Sequence, residues 1–253
     1  MMLERTEALV RPFFPKLLRQ PLKRLGWKIA MRVAPTSSRN HGALRFWQSR
    51  WEQEGHTLQN SWYEKIFLQM AQEDDAEFLG GKIVADFGCG PRGSLCWATP
   101  ARLRIGIDIL ADEYARFGIG AHDMCYVCST EKRIPLPSAY VDVLFTLNAM
   151  DHVVHFKTMC SELLRILKPG GDLIASFNLH EPRSRAEPQM LTEERVHGSL
   201  LRHLDIKSAR VAPMGPKEDR YRHFWDDDPA PPDDVGYLWV RATKKAQGDS
   251  QDP

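Results

Sequence analysis

The sequence predicts an α/β fold: a doubly wound, mostly parallel sheet preceded by an N-terminal helical addition. Three observations predict it. Short apolar runs of strand length alternate with segments of helical pattern from residue 82 onward, as in sheets built through crossover connections. The first run, Ile83-Val-Ala-Asp-Phe87, and the second, Arg104-Ile-Gly-Ile-Asp108, each carry an acid at or near the carboxyl end, where open α/β sheets place their ligands. Gly88 and Gly90 follow the first run, and glycine lets the backbone turn sharply where a ligand must come close.

Strands are expected at residues 83–87, 103–107, 125–127, 141–147 and 173–177, short runs suited to burial on both faces. The first crossover, residues 91–102, barely accommodates a helix and holds Pro100, so a short or irregular connection is expected. Residues 111–118 read as the beginning of the second crossover helix. Residues 155–167 read as a helix stopped by Lys168-Pro-Gly-Gly171. After a polar connection over residues 180–195, a helix is expected at 193–203. Residues 205–211 and 236–243 are candidate closing strands, joined by a long acidic, Pro-rich loop at 214–234.

Ahead of the sheet, residues 43–72 read as one or two helices rich in Trp47, Trp51, Trp62, Tyr63 and Phe67. Trp47 and Trp51 share a helix face at i, i+4, and packing on the sheet is their expected role. The chain thus divides into a basic segment at 1–40, a helical cap at 41–80, an α/β domain at 81–244 and a tail at 245–253. The tail has nothing to bury and is expected to be disordered.

Composition narrows the function. The chain has 253 residues, 43% of them hydrophobic, enough for a sizeable core without disulfides. A net charge of +1 marks no global field for a nucleic-acid partner. Five scattered cysteines include the Cys125/Cys128 pair. No second pair stands at ligand spacing, and i, i+3 positions on a strand face opposite ways, so zinc is not expected. No apolar stretch is long enough to span a bilayer and no apolar leader opens the chain; reduced cytoplasm is the expected compartment. Residues 1–35 hold eight Lys or Arg against Glu4 and Glu7, a local +6, with Pro12, Pro15 and Pro21 excluding one long helix. This segment is expected to serve the acceptor side, facing an anionic acceptor or resting peripherally on an anionic membrane.

Gly88-Cys-Gly-Pro-Arg-Gly93 formally fits the dinucleotide fingerprint. In that fingerprint a helix N-terminus meets a pyrophosphate, and Asp86, immediately before the turn, would repel one. A carboxylate suits a cationic ligand better, and S-adenosylmethionine offers an ammonium and a sulfonium.

Five segments in order then resemble the class I S-adenosylmethionine-dependent methyltransferases of the type 11 domain group: residues 84–90, 106–108, 128–137, 140–153 and 163–174. The resemblance covers residues 82–177 and implies a Rossmann-like, seven-stranded sheet with an antiparallel closing pair. It implies S-adenosyl-L-methionine as cofactor, with Asp86 at the ammonium, Gly88, Cys89 and Gly90 around the methionine part, Asp108 on the ribose and Ile109 beside it. It further implies Ser129 and Thr130 near the adenine and Asn148 near the methyl group. Ser129 stands where the family often carries an acid. Asp151 and His152 follow the fourth strand and are the candidate catalytic pair, with His152 a base if the acceptor is a hydroxyl. His180, Glu181, Arg183 and Glu187 are candidates for acceptor binding. A metal set of His152, His180 and Glu181 is set aside, so no metal is expected. The implied activity is methyl transfer to a small-molecule or glycan- or lipid-linked acceptor, on oxygen by preference. The competing readings are a nicotinamide-dependent oxidoreductase, disfavoured by Asp86, and a non-catalytic methyltransferase-like binding protein, disfavoured by the intact set of Asp86, Gly88, Gly90 and Asp108.

Overall fold

In the computed structural model, residues 38–58, 60, 62–184, 186–215 and 235–246 are described. Residues 1–37, most of the 214–234 loop and the end of the tail lie outside them, and with them the sequence reading of the basic segment. Four α-helices of the described chain, α1 (Ser38–Gln53), α2 (Tyr63–Ala71), α3 (Phe156–Ile166) and α4 (Glu193–Ser199), flank seven strands. The strands are β1 (Ile83–Phe87), β2 (Leu103–Asp108), β3 (Cys125–Cys128), β4 (Val141–Leu147), β5 (Leu167–Leu179), β6 (Leu204–Pro213) and β7 (Gly236–Lys244).

The strands form one sheet in the order β3-β2-β1-β4-β5-β7-β6. β1 to β5 run parallel, and β7 pairs antiparallel with both β5 and β6. Strand order reverses between β1 and β4, so the carboxyl ends of these two strands frame the crevice where such sheets receive ligands. β1 is buried along its whole length, which is why its residues are a continuous apolar run up to Asp86.

The two faces are covered differently. On one face α3 presents Phe156, Met159, Cys160, Leu163 and Ile166, a period near four, onto Ala85, Leu144 and Ala175. α4 joins this face through Val196; Thr192 caps it by accepting from the Arg195 amide at 3.2 Å. On the other face α2 buries Tyr63, Ile66, Phe67, Met70 and Ala71 against Val84, Val143, Phe145 and Ile174. The first crossover contains no helix, only turns over residues 91–102. α2 therefore fills the face that the first crossover leaves bare. Phe67 stacks on Phe145 at 4.7 Å, and Trp97 of the crossover approaches both.

Three expectations are corrected. Residues 111–118 do not begin an α-helix; they form a 3-10 turn at Glu113–Phe117, followed by another at Ile119–Ala121. Gly118, with φ of +82°, breaks the run after five residues. β5 begins at Leu167, before the Pro-Gly-Gly turn, because Leu167 already pairs with Val141 ahead of a register shift in which the extra residues bulge from β5. The helix expected at 193–203 ends at Ser199 and continues as a 3-10 turn at Leu201–His203.

Candidate active site

The loop after β1 is built by close approach. Gly88 has φ of +77° and its amide donates to the Ile107 carbonyl at 2.8 Å. A Cβ there would lie 2.2 Å from Cβ of Ala149 in the β4 tail, so any side chain would force the two strand ends apart. Cys89 is buried with its sulfur toward Gly106 of β2. It offers backbone, not its thiol, to the crevice.

Asp86 is 2% exposed. Ser94 donates to its Oδ2 at 2.5 Å, while Oδ1 is buried with no partner among the described residues. Burial pushes the carboxyl up to about 8; the Ser94 hydrogen bond opposes this and the charge of Asp108 adds to it. A buried, orphaned carboxylate oxygen at the mouth of a parallel sheet is a place for a cation.

Asp108 is half-buried at the end of β2. Its Oδ2 accepts from the Gly90 amide at 3.1 Å and its Oδ1 from the Leu110 amide at 2.9 Å. One side chain thus ties the glycine turn to the second strand. Burial raises this carboxyl as well, and the Leu110, Gly90 and Tyr114 contacts hold it back. With the two amides and the Tyr114 hydroxyl bound, the carboxylate keeps one further lone pair for a ligand hydroxyl. Ser129 is buried beside it, its amide donating to the Asp108 carbonyl at 3.1 Å. Ile109 is half-buried against the cluster that holds Leu110, Tyr114 and Phe117. Thr130 departs from expectation. It is exposed, and its hydroxyl accepts from the Arg133 and Lys132 amides at 2.9 and 3.3 Å, closing its own turn and not a ligand site.

The tail of β4 supplies the other wall. Asn148, with φ of +46°, accepts from Ser176 at 2.7 Å. Asp151 is 2% exposed and accepts from Asn178 at 3.1 Å through Oδ2; its Oδ1 has no partner among the described residues. His152 is exposed, and its Nδ1 lies 3.1 Å from the Ala186 carbonyl. That contact places the ring proton on Nδ1 and leaves the Nε2 lone pair free. As neighbours in sequence, Asp151 and His152 are poorly placed for one to orient the other. The orienting group is a backbone carbonyl thirty-four residues on, which no side-chain pattern could reveal. Of the cluster expected after β5, Glu187 joins Asp151 and His152, and Glu181 accepts from Asn178 at 3.0 Å. Arg183 is exposed and His180 half-buried. Among the described residues, the side chains that converge on His152 are Asp151 and Glu187, not His180 and Glu181.

Two further features were missed. α1 lies over the glycine turn through Trp47. Arg92, two residues beyond Gly90, pairs with Glu54 at 2.8 and 2.5 Å and lies 5.6 Å over the Trp47 ring. Beside Trp47 an open recess of about 430 Å³ is lined by Phe46, Trp62, Tyr63 and Arg92. The sequence put Trp47 and Trp51 on one face but could not say that this face meets the ligand loop and not the sheet.

Residues 85–175 match the family model described as a methyltransferase domain. They span β1 to β5 with both acids and the glycine turn. Over these residues the chain carries a methyltransferase domain, on the fold of S-adenosylmethionine-dependent methyltransferases. A search of curated proteins finds no match. Solved structures share its fold. A putative methyltransferase from Haloferax volcanii, in complex with the Trm112 methyltransferase activator, is 16% identical with a TM-score of 0.54, covering 73% of this chain and 90% of that one. A putative S-adenosylmethionine-dependent methyltransferase from Listeria monocytogenes is 18% identical with a TM-score of 0.53, covering 74% and 98%. The [4+2]-cyclase SpnF is 18% identical with a TM-score of 0.53, covering 72% and 81%. At these identities the likenesses are of fold.

The methyltransferase's cofactor is S-adenosylmethionine, and its residues suit that molecule. Orphaned Oδ1 of Asp86 matches an ammonium, and the lone pair that Asp108 keeps matches a ribose hydroxyl.

Proposed function

We propose that the methyltransferase moves the methyl group of S-adenosylmethionine to an oxygen of a small-molecule or glycan- or lipid-linked acceptor. The observation that carries this reading is the free Nε2 of His152, held in place by the Ala186 carbonyl beside the buried Asp151 at the end of β4. Methyl transfer is an in-line displacement. An acceptor oxygen lone pair forms the new C–O bond, the C–S bond breaks, and its electron pair stays on sulfur. An alcohol needs to lose its proton as this happens, and a neutral imidazole suits that task near neutral pH. Asp86, Gly88, Cys89, Gly90, Asp108, Ile109, Ser129 and Asn148 serve the cofactor in this reading; Asp151 and His152 serve the acceptor. The basic segment at residues 1–37 supports an anionic acceptor or an anionic membrane that carries one, and flotation of the full chain with anionic liposomes tests the second.

A panel of hydroxylated acceptors with methyl-labelled S-adenosylmethionine tests the reaction. His152→Ala is expected to lower turnover by roughly 10²–10⁴, with affinity for S-adenosylhomocysteine retained. Near-normal turnover in that variant, or label on nitrogen alone, would overturn the reading.

A further inference from the structure

The acceptor end of the crevice carries more than a base requires. One ligand atom each from Asp151, His152 and Glu187 lies within 4.8 Å of the other two. They come from two separate segments, the β4 tail and the connection after β5. Each is held by a neighbour. The Nδ1 of His152 faces the Ala186 carbonyl, so Nε2 presents its lone pair. Asn178 donates to Asp151 Oδ2 and to Glu181. Ser184 donates to Glu187 at 3.3 Å. These are the outer partners that orient metal ligands. Asp151 is 2% exposed, yet its Oδ1 has no partner among the described residues. A buried carboxylate with an unused oxygen, beside a second carboxylate and an imidazole lone pair, is stabilised by a positive charge placed among them.

We propose that Asp151, His152 and Glu187 bind a divalent cation at the acceptor end of the methyltransferase crevice. Two carboxylate oxygens and one imidazole nitrogen, with no thiolate, select a hard or borderline ion such as Mn²⁺ or Zn²⁺. Three protein ligands leave coordination positions open for oxygens of the acceptor. The acceptor class is then a hydroxyl adjacent to a second oxygen function, able to chelate the ion. The role of the ion rests on the reading of methyl transfer to oxygen and changes one step of it. With the ion bound, Nε2 is a ligand; the coordinated hydroxyl, acidified by the cation, loses its proton to water. The oxygen lone pair then takes the methyl carbon, and the C–S pair stays on sulfur. The β4 tail that carries Asp151 and His152 abuts the glycine turn, where Gly88 meets Ala149, so ion and cofactor share one crevice.

The test uses the chelator-treated full chain, titrated with Mn²⁺ by electron paramagnetic resonance and with Zn²⁺ by calorimetry. One Mn²⁺ per chain is expected. Asp151→Asn and Glu187→Gln, both close in shape to the native residues, should each weaken it roughly 10–100-fold without changing affinity for S-adenosylhomocysteine. Absence of stoichiometric binding of either ion to a chain that still binds S-adenosylhomocysteine would overturn the site, as would binding untouched by both variants. Full-rate alcohol methylation after chelation would overturn the role of the ion and leave methyl transfer to oxygen standing. Mn²⁺ held by Asp151 and Glu187 in a protein that labels only nitrogen would uphold the site and remove the oxygen acceptor.

Discussion

The indole of Trp47 rests on Gly90: a Cβ placed on that glycine would lie 2.9 Å from Cζ2 of the ring. The same ring meets Tyr114 edge-on at 6.5 Å, and the Tyr114 hydroxyl faces Asp108. α1 thus closes over the Gly90 turn. If the cofactor enters where Trp47 lies, the closed arrangement lowers apparent affinity by the fraction of time it is open. Trp47→Ala is expected to speed association of S-adenosylhomocysteine, by about tenfold if the closed form prevails ten to one. Stopped-flow tryptophan quenching measures it through the remaining tryptophans. A slower association would make Trp47 part of the binding wall.

Asp86 couples cofactor binding to protons. Its carboxyl is raised from 3.8 to about 8 by burial, so at neutral pH the free protein holds a proton there. The cofactor's ammonium favours the ionised form, and binding should release that proton at pH 5–7. Calorimetry in buffers of differing ionisation enthalpy reads the release, and Asp86→Asn should abolish it. The stability consequence has a definite sign. A raised acid binds more protons folded than unfolded, so its contribution is full below pH 3.8 and falls as pH rises toward 8. Asp108 and Asp151 shift in the same direction, so the slope should diminish in Asp86→Asn without vanishing.

Asp108 has two duties, and one substitution separates them. Asp108→Ala should weaken S-adenosylhomocysteine by about 2–3 kcal/mol, the scale for hydrogen bonds to a charged group. It should also loosen the glycine turn, because the Gly90 amide loses its acceptor. Asp108→Asn keeps an acceptor oxygen and should restore most of the melting temperature while recovering less of the affinity. Equal recovery of both would mean that Asp108 serves only the turn.

The cap helix is structural. Phe67 is fully buried and stacks on Phe145 of β4. Phe67→Ala should destabilise the fold by about 3–5 kcal/mol, measured by urea denaturation. A loss below 1 kcal/mol would show that α2 does not close that face of the sheet.

The parallel sheet and its two ligand-side acids were legible in the chain. Buried strands must be apolar throughout, and only a residue with a duty breaks such a run, so Asp86 and Asp108 stand out in sequence. Gly88 was legible for the same reason: its backbone conformation and its approach to Ala149 leave no room for a side chain. Local sequence also foretold the irregular first crossover, since residues 91–102 are too few for a helix. Long-range juxtapositions were decided only by the tertiary structure. The face of α1 that meets Gly90, the Ala186 carbonyl that orients His152, and the convergence of Glu187 on Asp151 each join segments distant along the chain. The missing helix over residues 111–118 depended on Gly118 ending the run and on Tyr114 and Phe117 turning inward to α1. Periodicity reports which side of an element is apolar; packing alone decides what that side meets.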